Sequence, residues 1–164
     1  MNSDNVVIQR VDYTDPEQGQ ALLQILDAYA RDPMGGGEAL PDTVGQNLLG
    51  LLQQTPHAIS YIAYLAGKPV GLINGFESVS TFAARRLVNI HDLAVLPAAR
   101  GRGVAGALLQ AMEDFARERQ CCKLTLEVLT GNETAAALYQ RAGFHAYQLD
   151  PSQGQAVFLQ KKLD

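Results

Sequence analysis

Residues 91–120 read HDLAVLPAARGRGVAGALLQAMEDFARERQ. The start of this stretch completes an apolar, strand-like run over 87–97 (LVNIHDLAVLP) that Pro97 ends. Its second half carries Val104, Leu108, Ala111, Met112 and Phe115 at helical spacing, which predicts a helix over 103–119. Between them lies a turn with Gly101 and Gly103, Arg100 and Arg102, and Gly106 just inside the helix. A helix N-terminus presents unpaired backbone N–H groups and the positive end of the helix dipole. Glycine lets that backbone come close to a ligand and adopt positive φ. Together these make an anion site, most often for phosphate, and a guanidinium suits phosphate oxygens. Each such term is worth about 0.3–1 kcal/mol, so several must converge. A plain strand-to-helix connection uses the same residue types.

Three phosphate-binding templates compete for this turn. The Walker pattern needs Gly, four residues, Gly, Lys, then Ser or Thr. Gly101 and Gly106 have the spacing, but Ala107 and Leu108 follow, so there is neither the lysine nor the magnesium-binding hydroxyl. The dinucleotide pattern G-x-G-x-x-G is met literally by Gly101, Gly103 and Gly106, with Glu127 at a suitable distance to touch a ribose. That reading, a dinucleotide-binding oxidoreductase, wants several βα units around the turn, whereas a hairpin lies upstream. The third template is Arg or Gln, two residues, Gly, one residue, then Gly or Ala. Arg100, Gly103 and Ala105 satisfy it.

Outward from the turn, 5–11 reads as a short strand, and 16–31 as a helix with Ala21, Leu22, Ile25, Leu26 and Tyr29 on one face. DPMGGGEALP (32–41) breaks it. Asp42 or Thr43 is the expected cap of a second helix reaching about Gln54, with Val44, Leu48, Leu51 and Leu52 as its buried stripe. Residues 58–65 and 70–78 flank AGKP as an antiparallel hairpin. After the central strand and helix, 123–129 is a strand and 131–142 a helix closed by Gly143; FHAY (144–147) and AVFLQKKL (156–163) supply two last strands. The order βααβββαβαββ is α+β (mixed α/β), with a parallel crossover only in 87–146.

Bulk properties narrow the function classes. The 164 residues suit one domain with a proper core. A net charge of −4 argues against a general nucleic-acid surface. Cys121 and Cys122 are adjacent and have no other cysteine to pair with. Neighbouring cysteines seldom meet disulfide geometry, so two reduced thiols and a cytoplasmic location are expected. MNSDNVV shows no signal-peptide pattern. No apolar run approaches the ~20 residues of a spanning helix, so no membrane partner is expected. No His/Cys cluster has metal-ligand spacing.

The stretch HDLAVLPAARGRGVAGALL resembles the acetyl-CoA-binding motif of the GCN5-related N-acetyltransferases, the GNAT superfamily. The resemblance continues in GNETAAALYQRAGF, where Asn132, Ala135, Leu138, Tyr139, Gly143 and Phe144 fall at the spacing of that family's second motif. It covers 87–146; elsewhere it is only the order of elements. It implies a GNAT-like acyl-CoA N-acyltransferase fold over a single domain, 1–164. The implied architecture is a mixed, mostly antiparallel sheet flanked by helices.

The resemblance also implies roles. Backbone amides of Arg102, Gly103, Val104, Ala105 and Gly106, beside Arg100 and Gly101, would cradle the pyrophosphate of acetyl-CoA. Leu93, Ala94 and Val95 would offer a strand edge to the pantetheine arm, in a gap between strands 87–96 and 123–129. Asn132 would contact the cofactor or serve the helix start, where Thr130 and Glu133 match a capping box. Gly143 reads as a left-handed C-cap. Tyr139 would sit by the sulfur and donate a proton to the departing thiolate.

The base is left open. A lysine-like amine is neutral in only about one molecule in 2,500 at pH 7, so generating the neutral form costs about 4–5 kcal/mol. His91, Asp92 and Glu127 are the candidates to contact the amine or a relay water. Strand alternation predicts opposite side-chain directions for His91 and Asp92. The acceptor would lie against Tyr29–Leu40, with Tyr29, Asp32 and Met34 facing it. The expected activity is acetyl transfer to a primary amine of a small molecule or peptide, by direct attack in a ternary complex with no metal. A non-catalytic acetyl-CoA sensor or scaffold is the alternative from another class. The acceptor's identity and a homodimeric state are both open.

Overall fold

The computed structural model describes residues 5–147, 150–154 and 156–163. Its elements run β1 (Val7–Arg10), α1 (Pro16–Arg31), α2 (Asp42–Gln53), β2 (Ala58–Leu65), β3 (Lys68–Ser80), β4 (Arg85–Val95), α3 (Val104–Glu118), β5 (Leu124–Leu126) and α4 (Glu133–Arg141). The sheet order is β1-β2-β3-β4-β5. The first four strands pair antiparallel, and β5 joins β4 in parallel through the α3 crossover.

Local chemistry starts α1 where the sequence predicts. The Asp15 carboxylate accepts from the amides of Glu17 and Gln18, and Pro16 opens the helix with a φ already suited to it. For α2 the expected cap is replaced: Pro41 occupies the N-cap position and no side chain caps the helix, with Asp42 already inside its first turn. Of the expected stripe, Leu48 and Leu52 do face the core, but Leu51 is 62% exposed and Leu49 packs inward in its place.

The sheet separates two apolar layers. On one face α3 lays Val104, Leu108, Met112 and Phe115 against Ile59, Ile73 and Val88. On the other, α1 and α2 bring Leu22, Ile25 and Leu52 onto Ile62, Leu72 and Ala94. The α3 seat depends on missing side chains: a Cβ on Gly71 would lie 2.8 Å from Val104 Cγ1, and one on Gly75 2.9 Å from Met112 Cε.

One irregularity organises the site. Asn74 pairs with Asp92, but the next β3 residue, Gly75, pairs with Ile90, leaving His91 as an extra residue in β4. This β-bulge inverts the alternation of the strand. Before it, Val88 and Ile90 face α3; after it, Leu93 and Val95 do, while Ala94 turns toward α1.

The expected order holds through α4. The two closing strands expected at 144–147 and 156–163 are not formed among the described residues. A strand exists only through a neighbour that takes its backbone hydrogen bonds, and β5 offers a ladder of just three positions. Val157, Phe158 and Leu159 are accordingly 72–83% exposed.

Candidate active site

At the mouth of α3, Gly101 and Gly103 hold φ of 76° and 79°. Gly103 is the N-cap, and a residue without a side chain leaves the cap without a side-chain hydrogen bond. The first-turn amides of Val104, Ala105 and Gly106 therefore point out of the helix with no side-chain acceptor among the described residues. Nothing lies within 4 Å of where a Cβ would stand on Gly101, Gly103 or Gly106. A cleft of about 270 Å³ runs alongside, lined by Lys68, Val70, Leu96, Ala98 and Arg102 among others. The two cations on its wall suit an anionic ligand.

Arg100 behaves differently from a simple phosphate ligand. Its guanidinium donates to the Val95 carbonyl at 3.2 Å and to Asp32 Oδ2 at 3.1 Å. Two side chains expected to meet different ligands are thus paired with each other, tying the end of β4 to the end of α1. Asp32 also accepts from the Met34 amide; that bond and then Arg100 hold its carboxyl below the ordinary aspartate value. Met34 itself is exposed in a short 3-10 turn, Pro33–Gly35.

Beyond Ile90, β4 has outrun its parallel partner. β5 pairs only with Val88, Asn89 and Ile90. On its other side β4 remains paired with β3 through Val95. Leu93–Val95 therefore has one edge with no strand against it among the described residues, and β5 itself ends at Leu126, short of the expected 129.

Tyr139 lies in the last turns of α4. The helix ends in a Schellman closure: Phe144 N–H donates to the Tyr139 carbonyl at 2.9 Å and Gly143 N–H to Gln140 at 3.0 Å, with Gly143 at φ 89°. The Phe144 ring meets the Tyr139 ring edge-on. Burial, and then nearby Tyr29, push the Tyr139 phenol above its ordinary pKa. Burial followed by Asp92 and Asp32 does the same for Tyr29. Tyr29, at the end of α1, is thus within electrostatic range of both Tyr139 and Asp92. The α4 cap is Asn132, whose side-chain oxygen accepts from Ala135 N–H at 3.2 Å. The expected Thr130 capping box is not the one used, because α4 starts at Glu133 rather than 131.

The bulge corrects the expected directions of His91 and Asp92. Asp92 Oδ2 accepts from Asn74 Nδ2 at 2.9 Å. The His91 ring lies 4.6 Å from that of Phe76. Asn74 and Phe76 alternate along β3 with Leu72 and share its α1-facing side, so both candidates turn toward that face. Glu127 is exposed past the end of β5. Glu77 is held by Arg119 at 2.9 Å, with Arg86 at 3.6 Å, in an ion-pair cluster at the C-terminal end of α3.

Sequence reading missed Asn74, Ser60 and Tyr13. Ser60 Oγ donates to Asn74 Oδ1 at 2.6 Å, and the Tyr13 hydroxyl lies 2.9 Å from Ser60 Oγ. The available signal was a single polar residue in each of two apolar strands, AISYIAYL and VGLINGF. Among the described residues no group of three His, Cys, Asp or Glu could hold a metal ion. No described helix is long and apolar enough to cross a membrane.

A family model described as "Acetyltransferase (GNAT) family" matches residues 21–144. Streptothricin acetyltransferase of Streptomyces lavendulae is 40% identical over 80 residues, 49% of this chain and 42% of that protein. The matched stretches span between 26% and 58% of the lengths of three curated relatives. An aminoglycoside acetyltransferase from an uncultured soil metagenomic sample, in complex with sisomicin, superposes with a TM-score of 0.78 at 19% identity, covering 97% of both chains. An aminoglycoside N-acetyltransferase in complex with CoA superposes with a TM-score of 0.73 at 19% identity, covering 96% of this chain and 95% of that one. These superpositions show that the folds are alike.

Proposed function

The chain belongs to the acetyltransferase (GNAT) family, and from that premise we propose that it moves an acetyl group from acetyl-CoA to a primary amine of a small molecule or peptide. The observation that carries the reading is the β4 edge at Leu93–Val95, which β5 leaves unpaired. The uncapped α3 mouth follows that edge in the chain. Residues 1–164 act as one catalytic domain in this reading.

The residues present fit acetyl-CoA. The amides of Arg102–Gly106 are the pyrophosphate cradle, and the open space at the glycines lets phosphate oxygens reach them. The Leu93–Val95 edge takes the amide groups of the pantetheine arm as a strand would. Acetyl-CoA supplies an activated acyl carbon, and free CoA leaves as a thiol. Tyr29, Asp32 and Met34 form the acceptor side, where Arg100 already balances the charge of the Asp32 carboxylate. Asp92 takes the proton that the attacking nitrogen gives up as its bond to the acyl carbon forms. It is preferred to His91 and Glu127 because a buried amide holds it in place. Tyr139 donates its phenolic proton to sulfur as the carbon–sulfur bond breaks, and its raised pKa keeps that proton present at neutral pH. No covalent enzyme intermediate and no metal are required.

The relatives support an aminoglycoside-like or other cationic small molecule as acceptor, and a cytoplasmic setting suits an acetyl-CoA user. The test is acetyl-CoA consumption with sisomicin, streptothricin, spermidine, lysine and an alanine-terminated peptide. Alongside it, thermal shifts are compared for acetyl-CoA, CoA, NAD and NADP. A ligand at 100 times its Kd stabilises by about 2.7 kcal/mol. Turnover of an amine with stabilisation by acetyl-CoA alone among the acyl donors and dinucleotides is the expected result. Stabilisation by acetyl-CoA without turnover of any amine favours a sensor, and stabilisation by NAD overturns the reading.

A further inference from the structure

Ser60, Asn74 and Asp92 form a row across the sheet. Ser60 is the direct β2 partner of Asn74, and Asn74 is the direct β3 partner of Asp92. Ser60 and Asn74 are 1% and 5% exposed, and among the described residues they are the polar side chains of the core. Apolar residues flank them on the same face: Ile62 beside Ser60, Leu72 and Phe76 beside Asn74. A core position is kept polar at a cost in solvation unless its hydrogen bonds are made, and here each bond is made to the next member of the row.

The hydrogen-bond directions follow from the chemistry of the groups. An ionised carboxylate only accepts, so the Asn74 amide must turn Nδ2 toward Asp92 and Oδ1 toward Ser60. A carbonyl oxygen also only accepts, so the single Ser60 hydroxyl proton goes to Asn74. Ser60 Oγ is then left as an acceptor, and Tyr13 must be the donor of their 2.9 Å contact. Three donors in series, Tyr13 to Ser60 to Asn74 to Asp92, all point the same way and end on one oxygen, Oδ2. Bonds in such a chain polarise one another. A primary amide holds its protons, so the row fixes a carboxylate and does not conduct protons.

The bulge at His91 explains the need for such a device. An extra residue loosens the ladder at the place where the strand must aim a side chain, and Asp92 is the first residue after it. The far end of the row reaches the surface, where Tyr13 and Ser60 help line a cleft of about 390 Å³ with Arg10, Asp12 and Thr55.

We infer that Asn74, backed by Ser60 and Tyr13, is the positioning residue that holds Asp92 by Oδ2 and so presents its second oxygen to the incoming amine. This rests on Asp92 being the base proposed above. A preorganised group whose orientation is lost affects turnover more than ground-state binding of a separate ligand. The losses therefore fall on kcat, and they shrink with each bond of distance from Asp92.

The experiment measures kcat and KM for acetyl-CoA with whichever of sisomicin, streptothricin, spermidine, lysine and the alanine-terminated peptide is turned over fastest. The variants are Asp92→Asn, Asn74→Leu, Ser60→Ala, Tyr13→Phe and the Asp92→Asn/Asn74→Leu double, each checked for folding by circular dichroism. Asp92→Asn is expected to lower kcat about 100-fold or more. Asn74→Leu is expected to lower it about 10-fold or more, Ser60→Ala less and Tyr13→Phe least, with KM for acetyl-CoA within about 2-fold throughout; the double variant should match Asp92→Asn. If Asn74→Leu fails to fold, Ser60→Ala and Tyr13→Phe carry the same order. An unaffected Asp92→Asn overturns the base assignment. An impaired Asp92→Asn with an unaffected Asn74→Leu, with the reverse gradient, or with additive losses in the double variant overturns the positioning role alone.

Discussion

The ring of Phe144 stands edge-on to that of Tyr139, with centroids 5.8 Å apart, and the Phe144 amide donates to the Tyr139 carbonyl at 2.9 Å. The residue that closes α4 thus also braces the side chain assigned to protonate the leaving sulfur. Tyr139→Phe keeps the ring contact and removes only the hydroxyl, and with it the proton to be donated. It should lower kcat by about 10²–10⁴-fold with little change in acetyl-CoA binding. An unchanged kcat at saturating amine removes Tyr139 from the acid role.

Phe144→Ala tests the brace. The aromatic pair is worth about 0.5–1.5 kcal/mol beyond its buried area, so a lower Tm is expected. Tyr139 loses its support as well, so kcat should fall while Tyr139→Phe/Phe144→Ala falls no further than Tyr139→Phe. A kcat equal to wild type shows that the phenol is positioned without the brace.

Gly103→Ala separates backbone conformation from packing. No atom lies within 4 Å of the added methyl, yet Gly103 holds φ 79°. An L-residue in that region costs about 1–2 kcal/mol, so Tm should fall modestly. Acetyl-CoA affinity should fall more, because the cradle amides beside it are displaced. Calorimetric titration showing wild-type affinity would place the diphosphate elsewhere.

Gly71→Val is the opposite case. Even a Cβ would stand 2.8 Å from Val104 Cγ1 and 3.2 Å from the Ala94 carbonyl. Overpacking of this kind costs about 1–3 kcal/mol, and the strain falls on the first residue of α3. Chemical denaturation should show the loss, accompanied by weaker acetyl-CoA binding. A variant as stable as wild type would show that α3 can lift from the sheet freely.

The pH dependence of stability has two limbs. Asp12 (through Thr14), Asp15 (through Gln18), Asp27 (through Arg31) and Asp32 (through Met34, then Arg100) are hydrogen-bonded below their ordinary pKa. A depressed carboxyl stabilises above its unfolded value, about 3.9, and loses that contribution as pH falls through the folded value. The phenols of Tyr13, Tyr29, Tyr61 and Tyr139 are raised, chiefly by burial. A raised phenol stabilises fully below its unfolded value, about 10, and loses that contribution as pH climbs through the folded one. Tm should therefore drop below about pH 4 and again above about pH 10. A flat Tm profile through either limb would show those groups titrating as they do in the unfolded chain.

Much of this molecule is written in local pattern. The period of α1 and its Asp15–Pro16 start set that helix at 16–31, as expected. The glycines of 101–103 announced the positive-φ turn, and Gly143 the closure of α4. The helix–strand order and the α3 mouth follow from side-chain period and from the φ each residue tolerates, which depend on near neighbours alone. The same logic misplaced two closing strands, since AVFLQKKL has strand propensity but, among the described residues, no ladder to join.

The chemistry of the site lies at the next level. Whether His91 and Asp92 face together is decided by one extra residue in β4, set by its register against β3. That Arg100 meets Asp32, and that Ser60, Asn74 and Asp92 line up, depends on segments far apart in the chain meeting in space. Local windows carry the period of each element and the freedom of each backbone angle. Register and bulges exist only between elements, and they determine which distant side chains come within hydrogen-bonding reach.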